Sequence, residues 1–102
     1  MVHVIATITL SPGSRPIVIT EFNRITPLVR AEDGCIEYQP TIDTAASMNN
    51  QEPPREDVLI VIEKWASLDA LRAHSNAAHM AAYRERVKGL VKSVNLQILQ
   101  SV

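Results

Sequence analysis

The chain has 102 residues, 46% of them hydrophobic, and its 10 Lys and Arg against 11 Asp and Glu leave a net charge of -1. That length fits one domain with a real core, small enough for oligomerisation to add appreciably to its stability. The balanced charge and apolar content exclude a disordered chain or a nucleic-acid-coating one, and a lone Cys35 excludes an internal disulfide.

Val2, Val4, Ala6, Ile8 and Leu10 stand at every second position with His3, Thr7 and Thr9 between them, which predicts a strand with one buried face. Ser11-Pro12-Gly13-Ser14 ends it in a turn. Pro16, with Ser14 upstream as a candidate cap, can open a helix because a missing N–H costs nothing in the first turn. Val18, Phe22, Ile25 and Val29 then recur at helical spacing. Pro27 removes a hydrogen bond and crowds the carbonyl four residues earlier, so a kink or an early stop is expected there. After Asp33-Gly34, Ile36, Tyr38 and Ile42 mark a second strand, and Pro40 places it at an edge or a bulge.

Residues 44–56, TAASMNNQEPPRE, are polar and contain Pro53-Pro54, predicting a loop long enough to be a lid over a pocket entrance or a mobile connection. The stretch DVLIVIEKW that follows is apolar on both faces: Val58, Ile60 and Ile62 on one, Leu59, Val61 and Trp65 with Glu63 on the other. Helices of so short a chain cover one face, so a second copy of the chain is the economical cover for the other. Ser67 can cap a helix through Asp69, Leu71 and His74. Asn76 is a candidate restart point, carrying Met80, Tyr83, Val87 and Val91 on one stripe. Val94, Leu96 and Ile98 alternate with Asn95 and Gln97 in a last strand.

The order is β-α-β-β-α-β in one domain spanning residues 1–102. Each half contains a crossover of more than twenty residues, long enough for a helix between parallel strands, and the sum is the ferredoxin-like α+β arrangement. No Cys/His cluster has zinc-like spacing, and no glycine-rich dinucleotide fingerprint or P-loop is present. The expectation is no metal site and no stoichiometric metal, flavin or haem. MVHVIATITL lacks the basic region and uninterrupted apolar run of a signal peptide, and no segment approaches a membrane span, so a cytoplasmic protein is expected.

The opening strand followed by SPG, the segment VRAEDGCIEY, the strand ending VIEKW and the run SLDALRAHSNAAHMAAY occur in that order over nearly the whole chain. Together they resemble the antibiotic biosynthesis monooxygenase family, which includes small quinol and polyketide oxygenases. The combination of GCIEY, E-x-W and H-x-x-x-x-H carries the resemblance. It implies a ferredoxin-like fold with an antiparallel sheet, paired face to face in a homodimer as a dimeric α/β barrel, with a pocket between sheet and helices. It also implies a small phenolic, quinol or polyketide-like substrate oxidised by molecular oxygen without a cofactor. The haem-degrading branch of the superfamily uses an Asn in the first strand and a His on the second helix; Ala6 and Arg84 stand there, which disfavours haem chemistry.

For such a reaction the candidates for the base are His74 and His79, since histidine is the side chain suited to proton abstraction near neutrality. Five apart, they lie roughly 140° around a continuous helix and so do not share the i, i+4 face of a two-histidine metal site; a break near Ser75-Asn76 would change that relation. Tyr83 can donate to a substrate oxygen or pack in the core. Trp65 can wall an aromatic ligand or plug the core with its N–H satisfied. Glu63 is an ion-pair partner or a pocket acid. Tyr38 belongs with these as a binding candidate, Cys35 reads as a small buried hydrophobe, His3 as a surface or edge residue, and Arg84 and Arg86 as anion holders or a solvated face. Two other functions remain open: an isomerase resembling the autoinducer-2 processing member of the superfamily, and a dimeric binding or stress-related domain without catalysis.

Overall fold

A computed structural model describes residues 1–102. Its elements run β1 (Val2–Leu10), α1 (Arg15–Arg30), β2 (Cys35–Thr41), β3 (Val58–Trp65), α2 (Leu68–Ser75), α3 (Ala78–Arg86) and β4 (Val91–Leu99). The four strands form one sheet in the order β2-β3-β1-β4, and every neighbouring pair is antiparallel. The long crossovers are therefore split βαβ units: β1 and β2 have β3 between them, and no parallel ladder forms. The ferredoxin-like arrangement stands with one addition, since the second helical segment is two helices.

β1 sits centrally and aligns the sheet's two faces. Val4, Ala6 and Ile8 lie opposite Glu63, Val61 and Leu59 of β3, and opposite Ile98, Leu96 and Val94 of β4. This is the face that the helices cover, and there Val4, Ala6, Ile8, Leu59 and Val61 are buried. On the other face Ile5 pairs with Ile62 and Thr7 with Ile60; Ile5 and Ile60 are half-buried and Ile62 is exposed.

Val18, Phe22, Ile25 and Val29 are the buried stripe of α1, joined by Thr26, whose hydroxyl donates to the Phe22 carbonyl at 2.6 Å. The helix passes through Pro27 to Arg30 instead of stopping. Pro27 and Asn23 are both exposed, so the carbonyl that the proline leaves without a partner is on the solvent side, where water can serve it. Ser14 occupies the N-cap position but does not cap; its hydroxyl donates to the Ser11 carbonyl at 2.7 Å. Ser67 does cap α2, accepting from the Ala70 N–H at 3.1 Å.

β2 is an edge strand and its pairing slips between Cys35 and Glu37. Edge and bulge are both tolerant of Pro40. The slip breaks the alternation read from Ile36, Tyr38 and Ile42: Tyr38 is buried, whereas Ile36 and Ile42 are exposed. Val91, counted with the helical stripe from spacing, instead opens β4, because the helix ends at Arg86 with Val87 as its C-cap.

Gly34 sets the approach of α2. Its φ is +83°, and a Cβ there would stand 2.6 Å from the Ala70 Cβ. Gly34→Ala is expected to cost about 1–3 kcal/mol for the left-handed backbone alone, with the clash added. Gly13, at φ +78° with open space around it, carries only the backbone cost. Thermal melts should therefore rank Gly34→Ala below Gly13→Ala, and both below the parent.

Candidate active site

A cavity of about 720 Å³ lies between the sheet and the helices, within the range of small-molecule sites. Its floor is Val4, Ala6, Ile8 and Val61, its sides are Phe22, Leu71, Met80 and Val87, and the helix-facing residues of β4, Val94, Leu96 and Ile98, form an open wall. Those three are about half exposed, at 54%, 53% and 50%, because α2 and α3 reach β3 and α1 but leave the β4 edge uncovered. Residues 42–57 do not line the cavity. That loop is drawn together at the opposite edge by Asp43, which accepts from Arg55 Nε at 2.8 Å and Nη2 at 3.0 Å. Those bonds hold the Asp43 carboxyl down at about 2. Of the two roles left open for this loop, a lid over this cavity is not the one its position supports.

Four of the six residues singled out above line the cavity: His74, Glu63, Tyr38 and Tyr83. Trp65 and His79 stand behind the wall. Trp65 is fully buried, and its indole N–H donates to Glu63 Oε1 at 2.9 Å. The His74 ring packs 4.7 Å from the Trp65 ring and 5.5 Å from Tyr38, centroid to centroid. Tyr83 leans on Phe22 of α1 at 4.9 Å. Arg84 reaches the cavity but gives its Nη2 to the Ser75 carbonyl at 2.7 Å, while Arg86 is outside it, paired with Glu21.

Spacing alone did not single out Glu32. It lies in the turn after α1, and its Oε2 accepts from His74 Nδ1 at 2.9 Å and from His79 Nε2 at 2.7 Å. The interruption at Asn76-Ala77 between α2 and α3 makes this possible, since five residues of continuous helix would hold the two rings on different faces. With an ionised carboxylate as shared acceptor, both ring nitrogens carry hydrogens, the tautomer assigned by the network. In a neutral His74 the lone pair is then on Nε2, the nitrogen left for the cavity.

Burial dominates the electrostatics here. It pushes the Tyr38 and Tyr83 phenols well above their ordinary range, keeping both as neutral donors. Burial and then the Glu32 and Glu63 carboxylates push the Cys35 thiol up, which leaves it a poor nucleophile. Glu63 is raised chiefly by burial, against the opposing pull of the Trp65 N–H and His74. A carboxyl raised in the folded state contributes stability that is present below the unfolded glutamate pKa and is lost as pH climbs through the raised one. Glu63→Gln is thus expected to flatten the decline in melting temperature above about pH 4.3, the ordinary glutamate value. A Gln variant whose pH profile overlays the parent's would refute the assignment.

A four-stranded antiparallel sheet with helices on one face, enclosing an apolar cavity with a carboxylate-held histidine at its wall, defines a small ferredoxin-like α+β domain. The antibiotic biosynthesis monooxygenase family matches residues 1–86, and the chain belongs to that family. It is 42% identical over 102 residues to YgiN of Escherichia coli K12, a protein named as a probable quinol monooxygenase, covering 98% of this chain and 97% of the relative. The crystal structure of PA3566 from Pseudomonas aeruginosa superposes with a TM-score of 0.81 at 27% identity, covering 99% of this chain and 93% of the other. Rv0793 from Mycobacterium tuberculosis superposes with a TM-score of 0.79 at 25% identity, covering 99% and 94%. No helix of the chain is long and apolar enough to cross a membrane.

Proposed function

We propose that this protein is a cofactor-independent monooxygenase that oxidises a small phenolic, quinol or polyketide-like molecule with molecular oxygen. The observation that carries the reading is His74 in the wall of an apolar space of about 720 Å³, its Nδ1 held by Glu32 at 2.9 Å so that Nε2 is the nitrogen free to act. Reaction of a singlet organic molecule with triplet oxygen is spin-forbidden in one step. A deprotonated, electron-rich aromatic avoids that barrier by passing a single electron to oxygen. The two radicals then combine, and the resulting peroxide loses water, so that one oxygen atom stays in the product. The protein's share is a base, donors for developing negative charge, and a dry site.

In this scheme His74 Nε2 takes the phenolic proton. Glu32 orients the ring and stabilises the imidazolium that forms, the role a buried carboxylate plays beside a catalytic histidine elsewhere. Tyr38 and Tyr83 are neutral donors towards substrate oxygens, and Glu63, anchored by Trp65, offers a further polar contact at the cavity floor. His79 acts behind Glu32, away from substrate. The similarity to YgiN supports a quinol as the first substrate class to test.

The functional unit in this reading is a homodimer joined through the sheet face that carries Ile5, Ile60 and Ile62. The support is the contrast between its half-buried and exposed aliphatics and the buried residues of the helix-covered face. The reaction is tested with an oxygen electrode against a panel of quinols, followed by ¹⁸O₂ labelling. One labelled oxygen per product supports it. Solvent-deuterium exchange into a dicarbonyl compound without oxygen uptake would instead establish the isomerase, and binding without either would leave a non-catalytic domain.

A further inference from the structure

Glu32, His74 and His79 come from three separate parts of the chain: the turn after α1, α2 and α3. Their donor atoms lie within 4.8 Å of one another, and a single carboxylate oxygen takes both imidazole nitrogens. We propose that this cluster is a binding site for a divalent transition-metal ion, Zn²⁺ in the first place, ligated by His74 Nδ1, His79 Nε2 and the Glu32 carboxylate. The site goes beyond the proposed oxygenation, which does not use an ion, and it departs from the expectation of no metal drawn from spacing. Spacing gives no sign of such a site because the three residues meet only through the helix break and the fold.

Two imidazoles and one carboxylate are a donor set that zinc accepts with a position left for water. Ligands about 2.0–2.1 Å from Zn²⁺ stand roughly 3.3–3.4 Å apart in a tetrahedron. The contacts of 2.9 and 2.7 Å to Glu32 therefore need to open by about 0.4–0.7 Å, while the two ring nitrogens, within 4.8 Å of each other, draw together. Side-chain exposure is graded, 8% for His74, 13% for Glu32 and 24% for His79, so an ion and its water enter from the His79 side. Arg30 does not compete for the carboxylate, since it is tied to the Tyr38 carbonyl and the Gln39 side chain.

Without the ion the same contacts are a hydrogen-bonded clamp, in which each nitrogen carries a proton to the shared oxygen. Binding takes the hydrogens off both contacting nitrogens: the His79 ring changes tautomer or gives up a proton in the same way, and a neutral His74 that ligates through Nδ1 must adopt the other tautomer, with its single hydrogen moved to Nε2. The nitrogen at the cavity then donates instead of accepting, so an occupied site switches off the base. That consequence rests on the proposed role of His74. The binding does not.

The experiment is titration of metal-stripped full-length protein with Zn²⁺ by calorimetry, and with Co²⁺ by visible absorption, in the absence of any substrate. One ion per chain is expected. His79→Ala and Glu32→Gln should each weaken binding by more than the roughly 10–100-fold that loss of an outer partner costs, and His3→Ala, which changes the remaining histidine, should leave it intact. A second readout needs no variant: Zn²⁺ should move the imidazole ¹⁵N resonances of His74 and His79 and leave those of His3 in place. Uptake that survives both His79→Ala and Glu32→Gln, or is lost in His3→Ala, overturns the site. So does wild-type protein whose His74 and His79 resonances do not respond. Oxygen consumption by metal-free protein is measured separately, so the site and the proposed oxygenation can fail independently.

Discussion

His74→Ala is expected to lower turnover of an oxygenated phenol or quinol by roughly 10²–10⁴-fold, the usual contribution of a positioned general base. The loss should shrink at high pH, where substrate ionises without help, and a purely structural role would not produce that recovery. The variant also removes a ring packed 4.7 Å from Trp65, so some stability will go with it, and circular dichroism at the assay temperature separates the two effects. Glu32→Gln should fall between His74→Ala and wild type: an amide can hold the ring but has no charge to stabilise the imidazolium, and its NH₂ can select the wrong tautomer. His79→Ala should be mildest, since His79 does not line the cavity. Trp65→Phe should act through Glu63, which would lose the indole N–H at 2.9 Å, and not through direct contact with substrate. Initial rates in an oxygen electrode test the whole order, and His74→Ala with full activity would remove the proposed base.

Much of this fold is legible because its periodicities are clean. Val4, Ala6, Ile8 and Leu10 alternate and are buried on one face of β1; Val18, Phe22, Ile25 and Val29 follow a helical stripe and are buried in α1. Where the reading slipped, a local exception overrode the period. A bulge at Cys35–Glu37 turned Ile36 out to solvent, and the exposed position of Pro27 let α1 continue. The candidate site was legible only in part. His74, Tyr83, Glu63 and Tyr38 line one cavity, but Trp65 and His79 support it from behind. Glu32 carried no signal that set it apart from Asp33 beside it. Its contacts depend on a break between α2 and α3 that brings two histidines to one oxygen, and neither the direction of that turn nor the distance between α1 and α3 is written in spacing.

Ile60→Lys and Val61→Lys, adjacent on β3, should have opposite outcomes. Val61 is 1% exposed and faces the helices, opposite Ala6 of β1. A lysine there must bury an unpaired charge or push the helices off the sheet, which belongs to the small class of substitutions costing more than about 4–5 kcal/mol. That exceeds a good part of the roughly 5–15 kcal/mol that holds a typical domain together, so Val61→Lys should be largely unfolded. Ile60 sits on the other face beside Thr7, half-buried in the single chain, where a lysine can extend its stem along the surface and keep its charge in water. Ile60→Lys should therefore keep the fold and lose the partner, because each copy would carry a charge into an apolar interface burying on the order of 2,000 Å² or more. Sedimentation velocity at low micromolar concentration reads the difference as a folded monomer against a wild-type dimer. Wild type sedimenting as a folded monomer would dismiss the face-to-face assembly altogether. A dimer that survives Ile60→Lys would move the interface to the other uncovered apolar surface of the chain, the half-exposed Val94, Leu96 and Ile98 of β4, where a partner would close the open wall of the cavity itself.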